Sequence, residues 1–265
     1  MKAGFIGLGQ QGAPMARMIA RSGFALSVWD KSPAAVAAFD ESGVRLCASA
    51  AEVARACEVL GVCVRTDDDL RALLDGDALL KDLGAGSVLL IHSTVMPELC
   101  VEIAEQGRAL GVQVLDAGVS SSGEGALGGK LAVFVGGEAA ALERVRPVLE
   151  TYGNPIGHLG PVGSGMRAKL VNNLTVIANM GLVAAALDLG ETLGLDRTAL
   201  REVMLGGSAT SYALAVAPGI LGPGRDFSLV TKDLHHGLAI APEGHAGREA
   251  LKQAAETLLA YVNRA

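Results

Sequence analysis

A lysine and an asparagine with chemical potential stand near the start of a long apolar stretch, in the segment GSGMRAKLVNN at residues 163–173. Lys169 and Asn173 are four residues apart, so they project from the same face of the helix that this stretch predicts. Burying such groups without partners is costly, and a solvated helix start is the alternative interpretation. The functional interpretation is a cationic general acid or base beside an amide that fixes a substrate.

Three consecutive hydroxyl side chains follow a predicted strand, in the segment DAGVSSSGEG at residues 116–125. In a doubly wound sheet, ligands bind outside the carboxyl ends of the strands. Ser120, Ser121 and Ser122, in a turn flanked by glycines, therefore suit a carboxylate through their hydroxyls and backbone N–H groups. An ordinary Ser/Gly loop is the alternative interpretation of this segment.

A glycine-rich loop, GLGQQG at residues 7–12, lies between a short apolar run and a helical pattern. Its first glycine allows a tight turn, its second lets the backbone approach a diphosphate, and its third lets the helix pack on the strand. The helix presents free N–H groups and a positive dipole end to phosphates. Asp30 ends the next apolar run, at the spacing of an acid that hydrogen-bonds the adenosine ribose. The predicted dinucleotide-binding residues are Gly7, Leu8, Gly9, Gln10, Gln11, Gly12, Asp30 and Lys31.

The acid at the end of the second strand also predicts which dinucleotide binds. Asp30 favours NAD over NADP, because a carboxylate repels the extra 2′-phosphate of NADP and accepts from the ribose hydroxyls instead. Lys31 follows directly and softens that preference, so NADP stays possible as the cofactor.

Composition excludes several classes of function. The chain has 265 residues, half of them hydrophobic, and a net charge of −6 without a long run of either sign. We find no basic stripe for nucleic acid, no uninterrupted apolar segment long enough to cross a bilayer, and no secretion signal before the first strand. The cysteines form no CxxC pair, and His235, His236 and His245 lack the spacing of a metal site. We expect a cytoplasmic protein without metal, nucleic-acid or membrane partners.

Strand and helix patterns alternate in the first part of the chain, which predicts a sheet covered by helices. The candidate strands are residues 3–6, 25–29, 59–64, 87–92, 112–116 and 131–135. Beyond residue 166 only helical patterns remain, at 166–193, 195–204 and 242–262. We therefore predict an α/β Rossmann domain with a doubly wound, mostly parallel sheet at residues 1–162. A small all-α domain follows at residues 163–265 and begins with a long helix.

Four segments, in the same order, resemble the motifs of the β-hydroxyacid dehydrogenase family, which includes 3-hydroxyisobutyrate dehydrogenase and tartronate semialdehyde reductase. GLGQQGAPMA resembles the family's GLGxMGxxMA, with Gln11 at the usual Met, and DAGVSSSGEGALGG resembles DAPVSGGxxGAxxG. GSGMRAKLVNN matches GxGxxxKLxNN, and TKDLHHGLA resembles KDLxLA. Taken alone, the Lys232–Asp233 pair in the last segment indicates only a surface ion pair. The resemblance covers about residues 3–240.

This resemblance implies hydride transfer between NAD(P) and a small carboxylate substrate, a 3-hydroxy acid of the 3-hydroxyisobutyrate type or its semialdehyde. It implies that Lys169 is the catalytic general acid or base and that Asn173 orients the substrate. Ser120 and the backbone N–H groups after it would hold the substrate carboxylate, with Ser121 and Ser122 beside it. Lys232 would reach the closed active site from the helical domain and contact substrate and cofactor.

The resemblance also assigns residues along the cofactor. Val64 and Arg65 match the loop after the third predicted strand, which packs along the cofactor, and Thr94 matches a threonine near the nicotinamide. Arg65 departs from the family's usual Leu-Pro at this loop and adds a cation. Gly118 replaces the family's Pro, and serines replace its Gly-Gly after Ser120, which changes the carboxylate pocket.

Two alternatives come from other classes of protein. An imine reductase shares this architecture, although that resemblance typically lacks a lysine at position 169. A catalytically silent dinucleotide-binding module is the second alternative. The apolar helix after Gly165 predicts burial against another subunit, so we expect a homodimer or homotetramer.

Overall fold

The computed structural model describes residues 1–75, 78–121, 123–221 and 227–262. They form two compact units, Met1–Lys169 and Leu170–Ala265. All strands in the described part of the chain belong to the first unit, and the second is helical. The predicted fold class, an α/β Rossmann domain followed by an all-α domain, is confirmed. The predicted boundary between residues 162 and 163 stays a prediction.

The first unit is built on one eight-stranded sheet with the order β3-β2-β1-β4-β5-β6-β7-β8. The strands are β1 Lys2–Ile6, β2 Ala25–Trp29, β3 Arg45–Leu46, β4 Val59–Val62, β5 Val88–Ile91, β6 Gln113–Ser120, β7 Leu131–Gly136 and β8 Gly153–His158. The helices between them are α1 Gly12–Arg21, α2 Pro33–Ala37, α3 Ala50–Ala56, α4 Asp67–Leu74, α5 Ala78–Leu83, α6 Pro97–Ala109, α7 Gly123–Leu127 and α8 Ala139–Leu149. Every pairing is parallel except that of β6 with β7.

Helices cover both faces of this sheet, as the central strands show. β4 (VLGV) and β5 (VLLI) are buried at every position, which is the pattern of a parallel strand with both faces covered. The core of the first unit consists of two separate clusters of buried apolar side chains. One contains Phe5 and Met15, and the other contains Leu60 and Ile91. The central parallel strands are therefore packed on both faces along their whole length.

Three features of the sheet differ from the sequence prediction. β3 has only two residues, and β8 contains Pro155, which an edge strand tolerates because its N–H is not needed for pairing. β6 continues beyond Asp116 to Ser120, because residues 117–120 pair with β7. Ser120 therefore ends a strand, and its expected place in the Gly-flanked turn is wrong.

The second unit packs four helices around the continuation of α9, which runs from Ser164 to Thr192 and starts in the first unit. These helices are α10 Arg197–Gly206, α11 Tyr212–Ile220, α12 Ser228–Ile240 and α13 Ala246–Val262. Gly181 lets α9 approach α13 closely, because a Cβ there would overlap the carbonyl of Ala254. Leu174, Leu234 and Leu258 lie in the core of this unit.

Helix α9 is the one helix in the described ranges that is long and apolar enough to cross a membrane by length and composition. Our sequence analysis found no uninterrupted apolar segment of that length, and polar residues such as Asn179 and Asp188 do interrupt α9. Of the most apolar 18-residue window of α9, 56% is buried within the protein. Core helices of soluble proteins pass the same test, so this property is weak evidence for a membrane span.

Candidate active site

The glycine-rich loop combines two glycines that the fold requires and one that leaves space. Gly7 has a φ of 95°, and a Cβ there would overlap the carbonyl of Cys63. A Cβ at Gly12 would overlap the carbonyl of Gly7. A Cβ at Gly9, by contrast, would meet no protein atom within 4 Å. The second glycine thus borders open space at the start of α1, which fits a bound diphosphate.

Asp30 lies at the end of β2 and is held by two backbone N–H groups. Its Oδ2 accepts from the N–H of Leu8 at 2.6 Å, and its Oδ1 accepts from the N–H of Ser32 at 2.7 Å. An ionised carboxylate has further lone pairs for ribose hydroxyls. Lys31 forms a 2.5 Å ion pair with Asp69 of α4, so a neighbouring acid offsets its charge.

The two neighbouring glutamines of this loop have different surroundings. Gln10 is exposed and lines a cavity of about 330 Å³ between α1 and α2. Gln11 directs its side-chain nitrogen Nε2 into a buried position, where it has no hydrogen-bond partner among the described residues.

The loops after β4 and β5 are tied together where the resemblance places the cofactor. The N–H of Val64 donates to Oγ of Ser93 at 2.8 Å. Arg65 is exposed, and Thr94 is partly buried beside Ser93. These residues follow neighbouring parallel strands, at the edge of the sheet where such folds bind ligands.

His92, next to Ser93, is a buried link between strands that our sequence analysis did not single out. Its Nδ1 lies 2.7 Å from the carbonyl of Ala117, and its Nε2 lies 3.1 Å from the hydroxyl of Tyr152. Since a carbonyl only accepts, Nδ1 carries the proton and Nε2 accepts from Tyr152. Burial lowers the pKa of His92 to about 4, so the ring is neutral at physiological pH.

Asp116 anchors the start of α9. It is fully buried in β6 and accepts from the N–H of Gly163 at 2.8 Å and from that of Met166 at 2.6 Å. Burial raises the pKa of Asp116, while these two hydrogen bonds oppose that shift. A Cβ at Gly165 would overlap the carbonyl of Phe134, so the helix start lies directly on the sheet. Sequence reasoning used Asp116 only as a strand end, although an acid within an apolar strand is itself a signal.

Lys169, three residues after Met166, is 7% exposed and packs on Gly118 of β6. A Cβ at Gly118 would lie 2.9 Å from both Cβ and Cγ of Lys169. The departure from the family's Pro at Gly118 therefore leaves room for the stem of the lysine.

The predicted carboxylate-binding serines have different positions. Ser120 is partly buried at the end of β6. Ser121 has a φ of 111°, a conformation that favours glycine, and its Oγ would lie 2.7 Å from a Cβ at Gly125. Ser122 lies outside the described residues.

In the helical unit, Asn173 is 7% exposed and belongs to a polar cluster. Its Nδ2 donates to Oδ2 of Asp233 at 2.7 Å, and its Oδ1 accepts from Asn172 at 3.2 Å. The other oxygen of Asp233 lies 3.2 Å from Nζ of Lys232. The Lys232–Asp233 pair is thus mostly buried and fixes the orientation of the Asn173 amide.

Comparison with known proteins assigns the family. A family model for the NAD binding domain of 6-phosphogluconate dehydrogenase matches residues 2–160, and a model for the NAD-binding region of NADP-dependent 3-hydroxyisobutyrate dehydrogenase matches residues 163–265. The 3-hydroxyisobutyrate dehydrogenase of Pseudomonas aeruginosa is 37% identical over 250 residues, 89% of this chain and 83% of that protein. The chain belongs to the β-hydroxyacid dehydrogenase family. It is an NAD(P)-dependent oxidoreductase.

Further relatives of this dehydrogenase support the same family. The NAD-dependent L-serine dehydrogenase of Pseudomonas aeruginosa is 36% identical and covers 87% of this chain and 82% of its own. The structure of Mycobacterium tuberculosis 3-hydroxyisobutyrate dehydrogenase with L-serine has a TM-score of 0.84 at 26% identity, covering 99% of this chain and 94% of that one. An imine reductase from Myxococcus stipitatus with NADP+ has a TM-score of 0.67 at 20% identity, covering 98% and 95%. The imine reductase shares only the fold.

Proposed function

We propose that this dehydrogenase interconverts a small 3-hydroxy acid and its semialdehyde, with Lys169 as the general acid or base. Bound NAD(P) supplies the hydride acceptor or donor. Lys169 takes the proton of the substrate hydroxyl in oxidation and returns it in reduction. The observation that carries this proposal is the buried position of Lys169, packed on Gly118 in the first turns of a helix whose start Asp116 anchors.

The names of the relatives support one substrate class. L-serine, 3-hydroxyisobutyrate and 2-(hydroxymethyl)glutarate are all 3-hydroxypropanoates that differ in the group at C2. All three molecules share a carboxylate and a hydroxymethyl group on C2, and the further group at C2, which differs between them, is small. A 2-substituted 3-hydroxypropanoate is therefore the substrate class that we propose.

We assign the substrate contacts as the resemblance implies. Ser120, Ser121 and Ser122 are proposed to bind the carboxylate. Asn173 is proposed to orient the substrate, and Lys232 to contact substrate and cofactor. Support for Asn173 is its buried amide, which Asp233 holds through one N–H and leaves with a second N–H to donate.

A substrate panel with Lys169→Ala tests the proposal. The wild-type enzyme is assayed with 2- and 3-hydroxy acids and both cofactors, and we expect turnover of the 3-hydroxypropanoates. Lys169→Ala should lower kcat by about 10²- to 10⁴-fold, the usual contribution of acid–base catalysis, with unchanged NADH binding. Lys252→Ala, on α13, is the control. Near-normal turnover by Lys169→Ala would make the assigned role wrong.

The same panel separates the alternative functions. Wild-type enzyme that binds NADH but turns over no hydroxy acid would favour the silent dinucleotide-binding module. Reduction of cyclic imines with NADPH, without hydroxy-acid oxidation, would favour imine reductase chemistry.

We propose NAD as the preferred cofactor. The Asp30 carboxylate at the end of β2 and the pairing of Lys31 with Asp69 support this choice, since both leave little positive charge for a 2′-phosphate. The ratio of kcat/KM for NAD and NADP measures the preference. We expect NAD to be favoured and the ratio to fall in Asp30→Asn, because the repulsive charge is removed.

We propose a homodimer or homotetramer in which a second copy covers α9. Val171, Leu182 and Leu189 are 53%, 59% and 58% exposed, and helical periodicity places them within about 20° of one another around α9. An exposed apolar stripe of this kind marks an interaction surface. Light scattering should show an oligomer for the wild type and smaller species for Leu182→Glu. Val203→Glu, at an exposed apolar position of α10, is the control, and a monomeric wild type would refute the proposal.

We also propose a cytoplasmic location without nucleic-acid or membrane partners. None of the four cysteines forms a disulfide bond, which suits a reducing compartment, and the net charge of −6 does not attract nucleic acid. Cell fractionation tests this proposal, and recovery in the membrane fraction would contradict it.

A further inference from the structure

The side-chain amide of Gln11 carries a hydrogen-bond donor directly before α1. Its Nε2 is buried and has no hydrogen-bond partner among the described residues. Gln11 precedes the first residue of α1, yet its side chain makes no capping hydrogen bond to the helix. A buried donor without a partner costs free energy in the free protein. The same donor becomes favourable when a ligand brings an acceptor to it.

The periodicity of α1 shows which way this side chain points. Gly12 faces the core, and Gln11 and Ala13 lie about 100° to either side of it. Ala13 lines the cavity that α1 shares with α2. Gln11 therefore lies on the opposite flank of α1, away from α2. Helix α7, which also contacts α1, follows β6, and β6 lies on the side of β1 that is away from β2.

Strand order gives this direction a chemical meaning. β1 lies between β2 and β4 in the sheet. Asp30, where the adenosine ribose is expected, ends β2 on one side of β1, and the loops with Val64 and Thr94 follow β4 and β5 on the other side. A dinucleotide across the glycine-rich loop thus has its adenosine half near β2 and its nicotinamide half near β4 and β5.

We propose that the Gln11 amide donates a hydrogen bond to an oxygen of the nicotinamide nucleotide half of the cofactor. The inference rests on binding of NAD(P) at the glycine-rich loop and adds which half this side chain recognises. It also gives a role to a departure from the family, where Met is usual and cannot donate. Gln11 thus contributes to affinity for the half of the cofactor that carries the hydride.

Two variants test this role. Gln11→Leu removes the donor, and Gln11→Met installs the residue that is usual in the family. Fluorescence titration should show NADH affinity lowered about 3- to 10-fold, the range for one hydrogen bond, whereas calorimetric affinity for AMP, which lacks the nicotinamide nucleotide, stays unchanged. The ligand-free variants should melt about 3 °C higher than the wild type, because a buried donor without a partner has been removed. Gln253→Leu, exposed on α13, should change none of these quantities.

Three results would overturn the inference and leave the cofactor assignment standing. Unchanged NADH affinity in both variants would show that the amide does not touch the cofactor. An equal loss of AMP affinity would place the contact on the adenosine monophosphate half. A lower melting temperature of the ligand-free variants would show that Gln11 acts within the fold. Failure of the wild type to bind NADH at all would instead overturn the cofactor assignment, and the inference with it.

Discussion

The two units hold their polar groups by different means. In the first unit, Asp30 and Asp116 accept from backbone N–H groups, and backbone groups keep their positions as long as the fold is intact. In the helical unit, Asn173 is held by the side chain of Asp233, which also pairs with Lys232. Removing an anchor should therefore cost mainly stability in the first unit and mainly side-chain orientation in the second.

The largest effect is expected from Asp116→Ala. It leaves the N–H groups of Gly163 and Met166 buried without an acceptor, at about 2 kcal/mol each. Urea unfolding should show a loss of about 4 kcal/mol, and kcat should fall because the helix that carries Lys169 loses its anchor. Asp188→Ala, at an exposed position of the same helix, is the control. If Asp116→Ala were as stable as the wild type, the expected difference between the two units would be contradicted.

A second effect of the first unit depends on pH. Burial lowers the pKa of His92 from 6.5 to about 4. Between these values the unfolded chain binds a proton that the folded protein excludes, so stability falls as the pH falls, by about 3 kcal/mol in total. The asparagine in His92→Asn does not titrate. From pH 7 to pH 4, the free energy of unfolding of this variant should therefore fall by about 3 kcal/mol less than that of the wild type. The exposed His245→Asn should behave like the wild type, and equal slopes for His92→Asn would show that His92 is not the group responsible.

In the helical unit, Asp233→Asn should mainly affect activity. The new amide still offers Asn173 an acceptor but no longer balances the charge of Lys232. Since the Asp233 side chain is 20% exposed, we expect a stability change below about 1 kcal/mol and a kcat/KM lowered about 3- to 10-fold, the range for one hydrogen bond. Steady-state kinetics and urea unfolding on the same sample separate the two effects. A large loss of stability with normal kinetics would show that Asp233 acts as a stability anchor, as the acids of the first unit are expected to do.

The smallest effect is expected from Ser121→Gly. With a φ of 111°, Ser121 carries backbone strain that glycine does not. The variant should gain up to about 1 kcal/mol in urea unfolding, offset in part by the greater freedom of glycine in the unfolded chain. If the Ser121 hydroxyl also binds the substrate carboxylate, KM rises while kcat stays the same. A loss of stability would show that the contact of Ser121 with Gly125 outweighs the strain.

The sequence by itself determined many of the local elements of this protein. Apolar periodicity predicted six of the strands and the long helix α9, because each pattern depends on residues close together in the chain. The glycine-rich loop, with a strand before it and a helix after it, predicted its own conformation for the same reason. The short β3 and the proline-containing β8 were missed, since both form only by pairing with a neighbouring strand.

Tertiary structure decided which groups are bound to one another. Asp116 meets the start of α9 across 47 to 50 residues, and Asn173 meets Asp233 across 60. Tertiary packing likewise decides that Nε2 of Gln11 has no hydrogen-bond partner among the described residues. Local propensities do not encode these pairings, because burial and close packing alone determine which distant donor reaches which acceptor.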